Sequence, residues 1–361
     1  MIPASNPQKN AAPWQRELAD AVRDPGELLA LVGLAPGDPA GAEAAARDFP
    51  LRVPRSYVAR MRAGDPHDPL LAQVLPRGRE RAGAPGYGPD PVGDRDAMMR
   101  PGVLHKYHGR VLLVTTGACA IHCRYCFRRE FPYAQANPRR DQWDAALDYI
   151  ASDPSIAEVI LSGGDPLSLP DPALADLAAR IAAIPHVDTL RLHTRLPVVV
   201  PARVDEALCA WLGATRLHAV VVLHANHANE LDGDVAAACR RLRATGAMLL
   251  NQAVLLAGVN DGVAAQESLG RRLAACGVLP YYLHLLDPVR GAAHFDVAAE
   301  PARRLLAGLA GRLPGYLVPR LVREEPGRPG KTPITHGWED GRDARPTGAS
   351  SPESGGGRQT P

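Results

Sequence analysis

Residues 111–126 read VLLVTTGACAIHCRYC, so a short apolar run leads directly into three closely spaced cysteines. The run Val111–Thr115 is predicted to be a strand, and a segment of helical length follows the cysteines. Downstream, short apolar runs keep alternating with amphipathic segments. This alternation is typical of βαβ units with a parallel sheet, and about six such units predict an α/β fold in the form of a complete or partial β/α barrel.

Seven apolar runs are predicted to be the strands of this sheet, and six segments of helical length separate them. The predicted strands are Val111–Thr115, Glu158–Leu161, Thr189–His193, His218–Leu223, Met248–Asn251, Pro280–Leu285 and Tyr316–Val322. The predicted helices are Gln142–Ala151, Asp171–Ala183, Arg203–Leu212, Asp232–Ala244, Val263–Cys276 and Val297–Leu313.

The two ends of the chain differ in composition from this alternating region. Residues 1–100 are punctuated by proline and glycine, contain helical stretches such as Trp14–Leu34, and are predicted to form a helical N-terminal extension. Residues 101–336 are predicted to form the main domain. Residues 337–361 are rich in Gly, Ser, Pro and charge, so they cannot bury enough apolar area and are predicted to be a disordered tail.

Composition excludes several classes of protein. The 361 residues are 46% apolar, enough for a sizeable core, and the net charge of +2 gives no reason to expect a nucleic-acid or anionic-membrane partner. No apolar run approaches the roughly 20 residues of a membrane-spanning helix, and the N-terminus has no secretory pattern. Six cysteines in so long a chain do not make a disulfide scaffold. We therefore expect a soluble cytoplasmic protein.

Polar residues stand at the C-terminal ends of six successive predicted strands. Chemistry in β/α barrels collects at this end of the strands, and two of the six ends carry histidine or arginine. This succession favours an active-site rim over ordinary turns. The strand ends are Thr115-Thr116, Ser162–Asp165, His193–Arg195, His224–His227, Asn251-Gln252 and Asp287.

The cysteines Cys119, Cys123 and Cys126 form a Cys-x3-Cys-x2-Cys loop directly after the first barrel strand. Three thiolates on one loop suit an iron–sulfur cluster, zinc or copper(I). Structural zinc requires four closed ligands, and His122 between two cysteines is awkwardly placed to be the fourth. A [4Fe-4S] cluster with three protein ligands leaves one iron open to a small molecule. The other cysteines, Cys209, Cys239 and Cys276, lie singly in helical segments and are predicted to pack in the core.

The cysteine spacing resembles that of the radical S-adenosylmethionine superfamily. This resemblance implies a partial barrel of the radical SAM type, a [4Fe-4S] cluster on the three cysteines, and S-adenosylmethionine at the open iron. Tyr125 matches the aromatic residue that lies near the adenine in that superfamily. The loop Ser162-Gly163-Gly164-Asp165 resembles the element for the methionine amino group: glycines allow close backbone approach, and the acid or carbonyls accept from an ammonium.

A second resemblance covers roughly residues 14–335. Six segments look like the lysine 2,3-aminomutase family: Cys119–Arg129, Ser162–Leu167, His224–Glu230, Asn251–Leu256, Pro280–Tyr282 and Gly330–Pro333. The match is closest to the bacterial branch that makes β-lysine for elongation factor P, because of Phe127–Tyr133, Gly291–Phe295 and Leu317–Pro319. The resemblance identifies residues 101–336 as a radical SAM and pyridoxal phosphate catalytic domain.

The aminomutase resemblance implies a second cofactor, pyridoxal 5′-phosphate, held covalently by Lys331 as the catalytic lysine. Lysine is the amino acid that forms imines with this cofactor, whose ring delocalises an unpaired electron. The phosphate-binding arginines of the family correspond to Lys106 and Arg110, and lysine at the first position keeps the charge but loses the bidentate fork. Asn251 and Gln252 are expected to face the cofactor.

The same resemblance assigns the substrate contacts. Arg128 corresponds to the arginine that binds the α-carboxylate of the amino acid, a role that suits its planar fork. The two acids that bind the ε-ammonium of lysine correspond to Asp287 and Glu324, with Glu325 as an alternative to Glu324. A glutamate in place of the family's aspartate is one methylene longer.

The activity implied is the isomerisation of L-lysine to β-lysine by 2,3-amino migration, driven by a biological reductant. The product would pass to a β-lysine ligase that modifies elongation factor P. Two alternatives stand beside this interpretation. One is an aminomutase for another amino acid such as glutamate, whose distal carboxylate would prefer a cation to Asp287 and Glu324. The other is a non-catalytic iron–sulfur or zinc regulatory module.

Overall fold

A ten-stranded sheet organises the protein. The computed structural model describes residues 11–136 and 143–335, so the predicted tail at residues 337–361 lies outside the described residues. The strands follow one another in chain order across the sheet. They are β1 Met98–Arg100, β2 Val103–Tyr107, β3 Arg110–Thr116, β4 Glu158–Gly163, β5 Thr189–Thr194, β6 His218–His224, β7 Met248–Val254, β8 Leu279–His284, β9 Arg320–Arg323 and β10 Thr332–Pro333.

The predicted parallel sheet is confirmed. Each strand from β3 to β8 pairs in parallel with its successor, whereas β1, β2 and β10 add antiparallel edges. Among the described residues, the outermost strands β1 and β10 do not pair with each other, so the barrel is partial. The last predicted strand began too early: residues 315–317 form a 3₁₀ turn, and β9 starts only after Pro319, which has no N–H for a ladder.

The helices that connect the parallel strands lie where the sequence predicts them, within a few residues. One start was wrong: the helix expected from Arg203 begins at Glu206, because Asp205 caps it by accepting from the Leu208 amide at 3.0 Å. The helices are α1 Pro13–Ala19, α2 Pro25–Leu31, α3 Pro39–Asp48, α4 Arg55–Val58, α5 Pro69–Ala72, α6 Tyr133–Ala136, α7 Trp143–Ser152, α8 Asp171–Ala182, α9 Leu196–Val199, α10 Glu206–Ala214, α11 Gly233–Ala244, α12 Val263–Ala275 and α13 Ala299–Ala310.

The segment before β1 packs on the barrel rather than standing apart from it. The expected helical stretch Trp14–Leu34 is two helices, separated where Val22 forms a β-bridge with Val53. Trp14 belongs to the same apolar core as the barrel helices, and the Arg203 guanidinium lies 4.5 Å from its ring centroid. The two parts of the chain therefore share one core.

The pleat of the sheet separates core from cavity. Along β5, Leu190 and Leu192 are buried against the surrounding helices, whereas Arg191 and His193 line the interior of the barrel. Alternate side chains of a strand point to opposite faces, so the strands that build the core also deliver polar groups to the interior. No helix in the described ranges is both long and apolar enough to span a bilayer.

Candidate functional site

A cavity of about 560 Å³ opens at the C-terminal ends of the strands. Its wall contains residues from the exits of β3 to β6 and of β8, together with residues of β2, β7 and the segment after β9. The expected active-site rim is therefore a single cavity. Most of the site residues predicted from sequence line it: Lys106, Arg110, Cys119, Cys123, Tyr125, Cys126, Arg128, Ser162, Gly163, Gly164, Asp165, Gln252, Asp287, Glu324 and Lys331.

Asn251 is the exception among the predicted residues. Its side chain is buried on the opposite face of β7, where it accepts from the Ala225 amide at 2.9 Å and donates to the Ala225 carbonyl at 3.0 Å. These bonds tie β7 to the exit of β6. The expectation that Asn251 faces a cofactor is corrected, because neighbouring residues on a strand point to opposite faces and Gln252 takes the cavity side.

The three cysteine thiols face the cavity from one loop. Burial raises the pKa of Cys119, with a further contribution from Cys126, and burial raises the pKa of Cys126 to about 11. Without a cation the thiols of Cys119 and Cys126 stay protonated at neutral pH, whereas a coordinated metal favours the thiolate. In the described part of the chain no three His, Cys, Asp or Glu side chains converge on one ion. Three cysteine sulfurs on one loop are the donor type that holds iron–sulfur clusters.

His122 is turned toward the N-terminal segment rather than into a fourth ligand position. Its Nδ1 lies 2.8 Å from the Pro50 carbonyl oxygen, and its ring stacks on Phe49 with centroids 5.2 Å apart. The Cys3His arrangement considered from sequence is therefore not the one that this loop adopts. The other cysteines follow the prediction of core packing: Cys239 and Cys276 are buried, and Cys209 packs against the same core.

The glycine loop after β4 lies directly on the cysteine loop. The Gly164 amide donates to the Thr116 carbonyl at 2.7 Å, and the Asp165 amide donates to the Ala118 carbonyl at 2.8 Å. A Cβ on Gly164 would stand 2.3 Å from the Ala118 carbonyl oxygen. Gly163 has φ +116, a conformation that side chains disfavour. Glycine is required here because two backbones approach each other without space for a side chain.

Asp165 has a different local role from the one that the sequence suggested. One carboxylate oxygen accepts from Thr194 Oγ1 at 2.7 Å and the Leu167 amide at 3.0 Å; the other accepts from the Arg195 and Leu196 amides at 2.7 and 3.0 Å. These four bonds fasten the exit of β5 to that of β4. Both oxygens of this carboxylate are therefore already engaged within the protein.

Arg195 is a site residue whose contacts the sequence did not reveal. Its Nη1 lies 2.6 Å from Cys123 Sγ and 2.7 Å from the Tyr125 hydroxyl, and its Nη2 lies 2.7 Å from the Glu230 carboxylate. Tyr125 also accepts from Asn226 Nδ2 at 2.7 Å. The strand-end run His193–Arg195 was the only sequence signal, since Glu230 and Asn226 reach the site through folding.

Asp94 links two residues that the sequence assigned to different ligands. Its carboxylate accepts from Arg128 Nε and from Lys106 Nζ, each at 2.6 Å, and its side chain is 2% exposed. Burial opposes ionisation of this carboxyl, but Arg128 and Lys106 hold its pKa below the ordinary value. Asp94 lies in a proline- and glycine-rich stretch without periodicity, so no sequence pattern singled it out.

Lys331 lies in the cavity beside two carboxylates of different character. Glu324 pairs with Lys331 Nζ and accepts from the Tyr107 hydroxyl at 2.6 Å. Asp287 is half-buried, and its buried Oδ1 has no hydrogen-bond partner among the described residues. Burial raises the pKa of Asp287 to about 7, against the opposing effect of Lys331. Glu325, the alternative to Glu324, instead accepts from the Thr332 hydroxyl.

Three histidines complete the inner wall of the cavity. His193, His224 and His284 stand on β5, β6 and β8. Burial lowers the pKa of each, to about 3 for His224, with further lowering by Arg191 at His193 and by Lys331 at His284. The Nε2 atoms of His193 and His224 have no partner within the described ranges. The wall therefore offers uncharged imidazoles to a ligand.

The family model and the similar proteins that match this chain agree with one another. Residues 113–250 match the Radical SAM superfamily. The chain is 47% identical over 322 residues to an L-lysine 2,3-aminomutase of Escherichia coli (strain K12), covering 89% of this chain and 94% of that protein. It is 45% identical over 319 residues to the Haemophilus influenzae L-lysine 2,3-aminomutase, covering 88% and 94%, and 33% identical over 323 residues to that of Clostridium subterminale, covering 89% and 77%.

Replacing Gly164 tests the contact between the two loops. We expect Gly164→Ala to force the cysteine loop away from Ala118, at a cost of about 1–3 kcal/mol in unfolding free energy. Iron content after anaerobic reconstitution should fall. Gly262→Ala is the matched control, because a Cβ there meets nothing within 4 Å. Wild-type iron content and stability in Gly164→Ala would show that the loops have room to separate.

Removing the charge of Asp94 tests the linked cations. Asp94→Asn leaves Arg128 and Lys106 without their shared counterion, so we expect the unfolding free energy to fall by about 3–5 kcal/mol in denaturant titrations. The carboxylate contributes its stability above the unfolded pKa, and this contribution is lost as pH falls through the lower folded pKa. The difference between wild type and variant should therefore shrink in acid. Glu300→Gln, which breaks an exposed pair with Arg303, should change little.

Proposed function

Since this chain belongs to the L-lysine 2,3-aminomutase family of radical SAM enzymes, we propose that it isomerises L-lysine to β-lysine by moving the amino group from C2 to C3. The observation that carries this proposal is the charge pattern of the cavity. Arg128 offers guanidinium N–H groups, Lys331 an amine, and Asp287 a buried carboxylate oxygen without a partner. These three groups match an amino acid with an anionic and a cationic end.

Residues of the cavity wall fit both cofactor systems. The half-buried cysteines Cys119, Cys123 and Cys126 provide three thiol ligands for a [4Fe-4S] cluster beside the glycine loop. Together with S-adenosylmethionine the cluster supplies hydrogen-abstracting radical chemistry, and pyridoxal 5′-phosphate delocalises the unpaired electron. The chain's own part is to place these groups around one small space and to keep water out of it.

Lys331 is the residue that we assign to pyridoxal phosphate. Its amine lies in the cavity, paired with Glu324, and 5.9 Å from the ring centroid of Tyr282. Arg110 and Lys106 line the same cavity and provide cations for the phosphate. Lys106 already donates to Asp94 at 2.6 Å and to the Val92 carbonyl at 2.7 Å, which leaves one of its three N–H groups for an anion.

The two ends of the substrate have separate partners in this proposal. Arg128 uses Nε for Asp94 and Nη1 for Ser162 Oγ at 3.2 Å, so three of its five N–H groups stay available to a carboxylate. Asp287 accepts the ε-ammonium, which satisfies its unpartnered oxygen and favours its ionised form. A glutamate substrate would bring a second carboxylate to the end that holds Asp287 and Glu324, so the alternative substrate is disfavoured by charge.

The proposed destination of β-lysine is a ligase that attaches it to a lysine of elongation factor P, and the proposed electron source is a biological reductant. Support comes from the segments that resemble this bacterial branch. Phe295, from one such segment, packs edge-on against Tyr125 with centroids 6.1 Å apart, and Tyr133, from another, donates to the Gly163 carbonyl at 2.8 Å. Mass spectrometry of elongation factor P from cells with and without this protein tests the proposal; an unchanged modification would contradict it.

Lys331→Ala tests the site assigned to pyridoxal phosphate. We expect borohydride to fix no cofactor to the variant, because the amine that forms the covalent link is missing. Iron content should stay near wild type, since Lys331 is not on the cysteine loop. Lys331→Arg is the matched control for charge: it keeps a cation beside Glu324 but cannot form the link, so it should behave like the alanine variant. Covalent cofactor in either variant would refute the assignment.

Asp287→Asn tests lysine recognition and its pH dependence. Below pH 7 the Asp287 carboxyl of the free enzyme is protonated and cannot pair with the ε-ammonium, so kcat/KM for lysine should rise with pH and level off above about 7. The charged groups acting on this carboxyl are Lys331, Glu324, Lys106 and Asp94. In the variant, kcat/KM for lysine should no longer rise with pH, and most lysine turnover should be lost. Affinity for S-adenosylmethionine should change little. Equal loss of both would refute the assigned role.

A further inference from the structure

Residues 45–81 of the N-terminal segment contact the outer side of the cysteine loop. We call this segment the clasp. The His122 amide donates to the Arg52 carbonyl and the Arg124 amide to the Gln73 carbonyl, both at 2.9 Å. These backbone bonds hold the loop from outside, while its cysteines face the cavity.

Glu80 is the charged centre of the clasp. Its side chain is 2% exposed, and it accepts from Arg124 Nε at 2.9 Å and Nη2 at 2.6 Å, and from Arg129 Nη2 at 3.1 Å. Arg124 lies between Cys123 and Cys126, and Arg129 follows them. One buried carboxylate therefore fixes two arginines that bracket the last cysteine. Arg124 also donates to the Phe49 carbonyl at 2.7 Å.

Phe49 adds aromatic contacts between the clasp and the cysteine loop. Its ring stacks on His122 and lies 4.9 Å from the Arg124 guanidinium and 4.7 Å from that of Arg129. A cation over an aromatic face is attracted by the ring quadrupole, more strongly where both are desolvated. The Glu80 carboxylate, the Phe49 ring and backbone carbonyls therefore all contact the same short stretch of the cysteine loop. The cysteines cannot move apart without breaking several of these contacts.

We propose that Glu80 is a positioning residue for the iron–sulfur cluster, acting through Arg124 and Arg129. It keeps the cysteine loop in the shape that presents three sulfurs inward, and it keeps the clasp over the loop as a cover against oxygen. This inference rests on the proposed cluster at the three cysteines. It assigns to the N-terminal extension a part in holding the cluster, beyond its contribution to the core.

The test compares cluster retention in folded proteins. Wild type and Glu80→Gln are reconstituted anaerobically with iron and sulfide, and circular dichroism sets a temperature at which each stays folded. Bound iron per chain and the decay of visible cluster absorbance in air are then measured. Because outer partners of metal ligands typically change metal affinity by 10–100-fold, we expect the cluster of Glu80→Gln to be lost about 10-fold faster.

Two further variants separate positioning from stability. Glu27→Gln is the matched control, since it breaks an exposed pair with Arg55 in the same N-terminal region and should retain the cluster as wild type does. Glu80→Gln with Arg124→Met removes the more deeply buried of the two arginines that lose their counterion, so Tm should recover in part while cluster loss stays fast. Recovery of both, or wild-type retention in Glu80→Gln, would overturn the proposal. Failure of wild type itself to bind iron would overturn the cluster assignment instead.

Discussion

The close approach of two strand-exit loops is the constraint on which the site depends. Gly164 lies against Ala118 with no space for a side chain, so the cysteine loop after β3 and the glycine loop after β4 fix each other. Asp165 carries this constraint onward, because its carboxylate binds two backbone amides at the exit of β5. Arg195 lies at that exit, and its guanidinium contacts Cys123 Sγ and the Tyr125 hydroxyl. Three successive strand exits therefore form one hydrogen-bonded unit around the thiols.

Charge is balanced unevenly across the cavity, and the imbalance is informative. Asp94 shares its charge between Arg128 and Lys106, and Glu324 pairs with Lys331. Asp287 lies nearby, and its buried Oδ1 has no such pairing among the described residues. Buried histidines that stay neutral add no cation to this end. A cavity of this kind has a place for one more cation, which under the proposed function is the ε-ammonium of lysine.

Local pattern was enough to predict the parallel strands, their helices and the cysteine loop, because hydrophobic periodicity and ligand spacing are encoded over short stretches. Resemblance supplied Arg128 and Lys331, which no periodicity marks, and it supplied the role of Asp287, which the strand pattern had marked only as a polar strand end. Both approaches missed Asp94, because its two partners contact it only in the folded chain. The prediction that Asn251 faces the cofactor was wrong because the two faces of β7 were not distinguished. Contacts between side chains distant in sequence can be identified only from the folded structure. The same holds for which face of a strand carries a given side chain.

The open barrel has a consequence for how the substrate end is built. Backbone pairing does not join β2 to β9, yet the Tyr107 hydroxyl of β2 donates to Glu324 beyond β9 at 2.6 Å, and Lys106 lies 3.5 Å from the same carboxylate. Side-chain contacts therefore cross the opening that hydrogen-bonded strands leave. Such contacts can rearrange more easily than a closed ladder, and they lie beside Lys331. The edges of the sheet thus bring a lysine, an acid and a second cation together from distant parts of the chain.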